Sequence, residues 1–396
     1  VYEKTMKLTG KKQMKRKTSD SLNRFIDIFE PRTSLSLDCG AELPDVRIAY
    51  ETYGKLNADA TNAVLICHAL TGSAHVAGNG DFPAEFLEKV PLLRSIHSKM
   101  PGWWNALIGP GKLFDTNEYF IISSNILGSC YGSSGPDSTN PLTGKKYGLD
   151  FPQVTVRDMV KAQYTLIRYL GVEQLALITG GSLGGMQVLE WAVMYPHAQR
   201  SIVPIATAAR HSDWCIGLNH LAREAILNDP AWQKGIYTQQ PAAGLSLARK
   251  VGMISYRADI SVNARFGYER IDPEGNIFNN NNIFQVENYL NYQGKKLVER
   301  FDANCFLCLS RAMDLQDISR DRGRLSEVLA SIRAKTVCVG VNTDILYPAH
   351  EQRLIAAEIP GAIYREIKSV HGHDAFLIEF DQITEIIRPL LREVVT

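Results

Sequence analysis

The chain reads as an α/β protein: a mostly parallel sheet with helices on both faces, interrupted by an inserted helical region. Three observations predict this. Four short runs are apolar throughout, in the manner of strands buried on both faces: AVLIC at 63–67, YFIIS at 119–123, LALI at 175–178 and TVCVGV at 336–341. Helical patterns at 154–170 and 183–195 alternate with them. After about residue 208 the strand signal stops, and it returns only at 336.

Taken in order, residues 33–52 give two β-like stretches around Cys39-Gly40. The 154–170 segment places Val156, Met159, Val160, Leu166 and Ile167 at helical spacing and closes at Gly171. The helix at 183–195 is stopped by Pro196, and 202–205 is a further strand. Helical segments follow around 211–227, 242–256, 284–301 and 304–313, with an Asn-rich polar loop at 279–282. Beyond 336–341 come a helix near 351–357, a strand at 363–367 and a helix over about 375–394. These assignments divide the chain into a core (31–207 and 332–396), a helical cap or lid (208–331) and a basic tail (1–30). The tail, with Lys4, Lys7, Arg16 and Arg24 among its cations, is expected to be solvated and poorly ordered, an organelle-targeting peptide being the competing reading.

The composition narrows the function. With 43 basic and 42 acidic residues, the chain lacks the charge balance of a nucleic-acid binder. Seven cysteines, scattered and mostly in apolar runs, read as reduced thiols of a cytoplasmic protein. No apolar run reaches the length of a membrane span. Cys305 and Cys308 sit in an apolar helical stretch with no second cysteine pair, so core packing explains them better than a metal.

The strongest motif is G-x-S-x-G at 180–184, between a predicted strand and a predicted helix. A serine in so sharp a turn has its hydroxyl lifted off the sheet, and the flanking glycines admit neighbouring backbone. Ser182 then stands at a helix N-terminus, where developing negative charge is favoured. A phosphate-binding loop fits poorly, since its lysine and its glycine spacing are both missing. A serine nucleophile needs a base, and the base needs an orienting carboxylate. Asp344 follows the 336–341 strand and His373 follows the 363–367 strand, giving the order Ser, Asp, His of the α/β-hydrolase fold. His371 is the rival base. In that fold the backbone N–H groups of Leu70 and Leu183 are the expected oxyanion donors, with His68 in a structural role.

From about residue 38 onward the chain resembles the homoserine O-acetyltransferases. The resemblance is carried by HALTGSAH at 68–75, GWW at 102–104, SNILGSCYGSSGP at 124–136, GGSLGGMQ at 180–187, DILYP at 344–348 and GHDAFL at 372–377. It implies Ser182 as nucleophile with Asp344 and His373, Arg249 as the group that binds the amino acid's carboxylate, and Asp374 as the group that binds its ammonium. It implies L-homoserine and acetyl-CoA as substrates, acetyl-CoA being a co-substrate with no further cofactor and no metal, a place in methionine biosynthesis, and a homodimer. An arginine fork suits a carboxylate, although Arg257 is an alternative to Arg249. Succinyl-CoA as donor and serine as acceptor stay open at this level. So do a plain esterase and, from another class, a non-catalytic binding protein of the same fold.

Overall fold

In chain order the strands are β1 (Phe25–Phe29), β2 (Leu35–Ser36), β3 (Glu42–Leu43), β4 (Ile48–Tyr53), β5 (Ala63–Cys67), β6 (Phe120–Ser124), β7 (Leu175–Gly181), β8 (Gln199–Ile205), β9 (Lys335–Val341) and β10 (Ile363–Ile367). The helices are α1 (Ala84–Lys89), α2 (Val156–Tyr169), α3 (Leu183–Met194), α4 (Asp213–Leu227), α5 (Ala242–Ser255), α6 (Asp259–Phe266), α7 (Gln285–Arg300), α8 (Ala303–Asp314), α9 (Leu325–Ala330), α10 (Ala349–Glu358) and α11 (Phe380–Val395). This computed structural model describes residues 22, 24–31, 33–96, 101–278 and 283–395.

Eight strands form one sheet in the order β1-β4-β6-β5-β7-β8-β9-β10, and β2 and β3 form a separate hairpin. From β6 onward across the sheet every pairing is parallel; only the β1–β4 and β4–β6 pairs are antiparallel. Alternate residues of β5 serve opposite layers, as the two-residue strand period requires. Ala63, Leu65 and Cys67 pack with Val160 of α2 and with Val188 and Trp191 of α3. Val64 and Ile66 pack with Trp104 and with Ile383 and Ile387 of α11. Covered on both faces, such a strand has no polar side to show in its sequence.

A buried chain of hydrogen bonds ties the α2–α3 layer to the loop after β5. Trp191 Nε1 donates to Gln163 Oε1 at 2.8 Å, Gln163 Nε2 donates to Gln187 Oε1 at 2.8 Å, and Gln187 Nε2 donates to the His68 carbonyl at 3.1 Å. Satisfied in this way, the amides fix where that loop sits rather than destabilise the core.

Between β8 and β9 the described residues form helices α4 to α9 with no strand longer than an isolated bridge. Helix α5 packs between α4 and α7. Apolar side chains of α4, α5, α7 and α8 share one cluster with Leu70, Leu183 and Met186, so this helical region is seated on the sheet's carboxyl end.

Two expectations are corrected. The 1–30 tail is not wholly outside the fold: Phe25–Phe29 is an edge strand paired antiparallel with β4, from Phe25 opposite Thr52 to Phe29 opposite Ile48. Its FIDIF sequence is strand-like, but the lysines before it dominate the segment's charge. Arg24 belongs to the fold as well, with its Nε 2.8 Å from buried Glu51. Second, the last helix begins at Phe380, because Gly372–Leu377 forms a separate 3-10 turn. The Asn-rich loop at 279–282 and residues 1–21 lie outside the described residues.

Backbone packs closely around the motif glycines. A Cβ on Gly180 stands 2.4 Å from the Cys67 carbonyl oxygen, and a Cβ on Gly184 stands 2.3 Å from the same atom. Backbone cannot yield there as a flexible side chain can. Gly184→Ala is therefore expected to destabilise the fold by about 1–3 kcal/mol, the usual range for overpacking. Urea unfolding measures this, and an unchanged midpoint contradicts it.

Candidate active site

Ser182 occupies the N-cap of α3 with φ 60° and ψ −124°, a left-handed conformation that costs energy in any residue but glycine. Three contacts hold the turn in place. Ser182 N donates to Ile205 O at 3.0 Å, Met186 N donates to Ser182 O at 3.1 Å, and the Thr207 hydroxyl donates to Ser182 O at 2.8 Å. The hydroxyl-bearing residue is thereby placed at the mouth of the sheet with only 5% of its surface exposed.

Asp344 lies just past the end of β9. Its Oδ1 accepts the Leu346 and Tyr347 backbone N–H groups at 2.8 and 2.9 Å, which leaves Oδ2 facing His373. His373, in the 3-10 turn after β10, places Nδ1 2.7 Å from that oxygen. The imidazole is packed among Tyr256, Tyr347 and Phe376, with ring centroids 5.8, 5.1 and 5.5 Å away. With Nδ1–H donated to the carboxylate, Nε2 is left unprotonated and set to accept a proton. Ser182 and His373 line one cavity of about 350 Å³, within the usual range for a small-molecule site. No hydrogen bond joins the two side chains in this structure, a separation common in unliganded sites. His371 lines neither this cavity nor the smaller one beside it.

The oxyanion candidates sit on either side of Ser182. The turn from Ala69 to Gly72 is closed by Gly72 N donating to Ala69 O at 2.9 Å, and Leu70 within it lines the cavity. Leu183 is the first residue of α3, where a backbone N–H has no partner within the helix. His68 acts as a strut. Its Nδ1 lies 2.8 Å from the Ala69 carbonyl and its Nε2 accepts Ile126 N–H at 3.2 Å. Burial draws the His68 pKa down to about 4, so the ring stays neutral and keeps both bonds.

The charged residues of the cavity divide into committed and uncommitted groups. Arg257 Nε lies 3.1 Å from Asp374 Oδ2, and Asp374, not Arg257, lines the cavity. Arg249 lines the cavity together with Lys296 and Arg300; its guanidinium lies 5.8 Å from the Tyr256 ring and forms no salt bridge among the described residues. Burial, with the Arg300 charge nearby, pulls the Arg249 pKa below the ordinary arginine value. Arg249 and Asp374 therefore line one space with opposite charges.

Two further cavity residues escaped sequence reasoning. Tyr256 caps α5 seven residues beyond Arg249, and that two-turn spacing was a usable signal that both face the same way. Arg300, the last residue of α7, donates to the Thr71 carbonyl at 2.8 Å and to the Thr71 hydroxyl at 3.2 Å. It clamps the loop that bears Leu70 to the helical region. Nothing in the local sequence of α7 announces this long-range contact.

A family model described as alpha/beta hydrolase fold matches residues 62–380. The homoserine O-acetyltransferase of Moorella thermoacetica is 48% identical over 371 residues, covering 92% of this chain and 95% of the relative. That of Carboxydothermus hydrogenoformans is 47% identical over 384 residues, covering 94% and 98%. Among solved structures, the homoserine O-acetyltransferase from Bacillus anthracis superposes with a TM-score of 0.84 at 28% identity, over 94% of this chain and 99% of that one. Esterase E22 gives 0.82, also at 28% identity, over 93% and 100%. The scaffold thus serves both transfer and hydrolysis, but identity of nearly one half along almost the whole length lies with the transferases. The chain belongs to the homoserine O-acetyltransferase family of α/β-hydrolase-fold proteins.

Proposed function

We propose that the chain transfers an acetyl group from acetyl-CoA to the hydroxyl of L-homoserine, by a ping-pong reaction through acyl-Ser182, as a step of methionine biosynthesis in the cytoplasm. The observation that carries this reading is the placing of Ser182, the His373–Asp344 pair, Arg249 and Asp374 around one cavity. In the first half-reaction His373 Nε2 takes the Ser182 proton as Oγ bonds to the thioester carbon. The contact between Ser182 and His373 forms at that stage. The N–H groups of Leu70 and Leu183 stabilise the oxyanion, the C–S bond breaks, and the proton passes to the departing CoA sulfur. In the second, His373 takes the homoserine hydroxyl proton as its oxygen bonds to the acyl carbon, the acyl–Oγ bond of Ser182 breaks, and the proton returns to Ser182 Oγ. Asp344 steadies the imidazolium throughout.

Arg249 pairs with the homoserine carboxylate and Asp374 with its ammonium, so that the hydroxyl is aimed at the acyl carbon. No metal or bound cofactor enters these steps. The competing reading is a plain esterase, favoured by the close superposition with esterase E22. Against it stand the two opposed charges in the cavity, which suit a zwitterion and give a simple ester no advantage. The chain also acts as a homodimer in this proposal. Trp214 and Leu221 on α4, with Leu247 and Ile254 on α5, are exposed apolar residues on two packed helices, and on this reading they meet the second copy.

The direct assay supplies acetyl-CoA with homoserine, serine or water and follows both CoA release and the acylated product. Transfer to homoserine well above the water rate is expected; full-rate CoA release without an acceptor indicates an esterase instead. Arg249→Ala is expected to raise the KM for homoserine at least about tenfold, as loss of a charged hydrogen-bonded pair does. Its burst of CoA release without acceptor should stay near the parent value, and equal loss in both half-reactions refutes the assigned role. Sedimentation should report a dimer for the parent protein and a monomer for Leu221→Glu; a monomeric parent removes the dimer from the account.

A further inference from the structure

A second, smaller cavity of about 30 Å³ adjoins the first and shares Ser182, Leu70 and Tyr256 with it. Its wall combines apolar side chains, Leu218 and Ala222 from α4, Ala248 from α5, and Phe306 and Met313 from α8, with polar residues. Several of the polar ones are bonded within the protein. Cys215 Sγ donates to Leu346 O at 3.0 Å, Asn219 Nδ2 donates to Asp314 Oδ1 at 2.9 Å, and Ser255 Oγ donates to Gly252 O at 2.9 Å. His211 directs Nε2 to the Tyr347 hydroxyl at 3.0 Å and Nδ1 toward Asp314 at 3.5 Å. Behind this wall the Asp314 carboxylate already holds Arg223 at 2.6 Å.

We propose that this cavity receives the carbon chain of the acyl group carried on Ser182 and thereby limits the donor to acetyl-CoA and its next homologue. The inference rests on the acyl-Ser182 reading and adds to it the structural reason for donor choice. About 10–15 Å³ of such volume admits one water, so 30 Å³ takes a methyl or ethyl end and little more. A butyryl chain must displace packed side chains of α4 or α8. A succinyl chain is longer than butyryl and brings a carboxylate as well, and no Lys or Arg among the described residues lines this cavity to receive it. In the acylation step the Ser182 Oγ–acyl bond forms as the acyl–sulfur bond of CoA breaks. The serine proton leaves on the CoA thiol by way of His373, and no other reactant is needed.

The test is a donor series of acetyl-, propionyl-, butyryl- and succinyl-CoA with homoserine, read as kcat/KM from thiol release. The parent protein is expected to favour acetyl over butyryl and over succinyl by about tenfold or more, the usual discrimination for methylenes in an apolar pocket. Met313→Ala opens the wall and should raise the butyryl-to-acetyl ratio about tenfold. Leu218→Ala, at a partly buried position, opens the same wall should Met313→Ala fail to fold. Ala222→Val narrows the space and should lower the propionyl-to-acetyl ratio. Comparable rates with acetyl and succinyl donors, or ratios unmoved in folded variants, overturn the acyl-cavity assignment while leaving transferase activity standing. Absence of transfer from every donor instead overturns the proposed function.

Discussion

The site depends on how closely the turn after β7 approaches the end of β5. Cys67 and Gly180 are register partners on adjacent parallel strands, and the Cys67 carbonyl oxygen fills the space a side chain at Gly180 or Gly184 needs. This contact brings two backbone segments to one point. One leads into α3 and carries Ser182 and the Leu183 N–H; the other leads into the Ala69–Gly72 turn and carries the Leu70 N–H. Backbone dipoles fixed in this way need no rearrangement when charge develops on a carbonyl oxygen. The strain at Ser182 is held by bonds to Ile205 and Thr207 on the next strand and its loop, so the sheet and not the serine itself maintains it.

The helical region contributes charge and closure. It supplies Arg249 and Tyr256 from the α5 segment, Arg257 as counterion to Asp374, and Arg300 as a clamp on Thr71. These contacts commit Arg257 and Arg300 to the protein. A further close approach joins the two parts: a Cβ on Gly372, beside His373, stands 2.7 Å from Ala258 N. His373 therefore sits beside a turn packed directly against the segment that carries Tyr256 and Arg257.

Much of this was legible in the residues. Strands β5, β6, β7 and β9 are apolar throughout because both faces are covered, and such runs stand out. G-x-S-x-G was readable because it lies between a strand and a helix, and Asp344 and His373 because each follows a strand of the same sheet. Strand β1 was missed because its pairing with β4 is long-range and a run of cations precedes it. Helices α1, α6 and α9, six to eight residues long, are too short to show a helical period. The division of labour between Arg249 and Arg257 was left open, since it is decided by which of them meets Asp374, far along the chain. The size of the smaller cavity is set by side chains from three helices and has no local signature.

The central claim is that Ser182, held at the meeting point of β5, β7 and α3, carries the acyl group. Mass spectrometry of the protein after brief exposure to acetyl-CoA alone, quenched in acid and digested, tests it most directly. The account predicts the mass increment of one acetyl group on the peptide containing Ser182, and its loss when homoserine is added before the quench. An unmodified Ser182 peptide during active turnover, or an acetyl group that persists on another residue and never reaches homoserine, contradicts it.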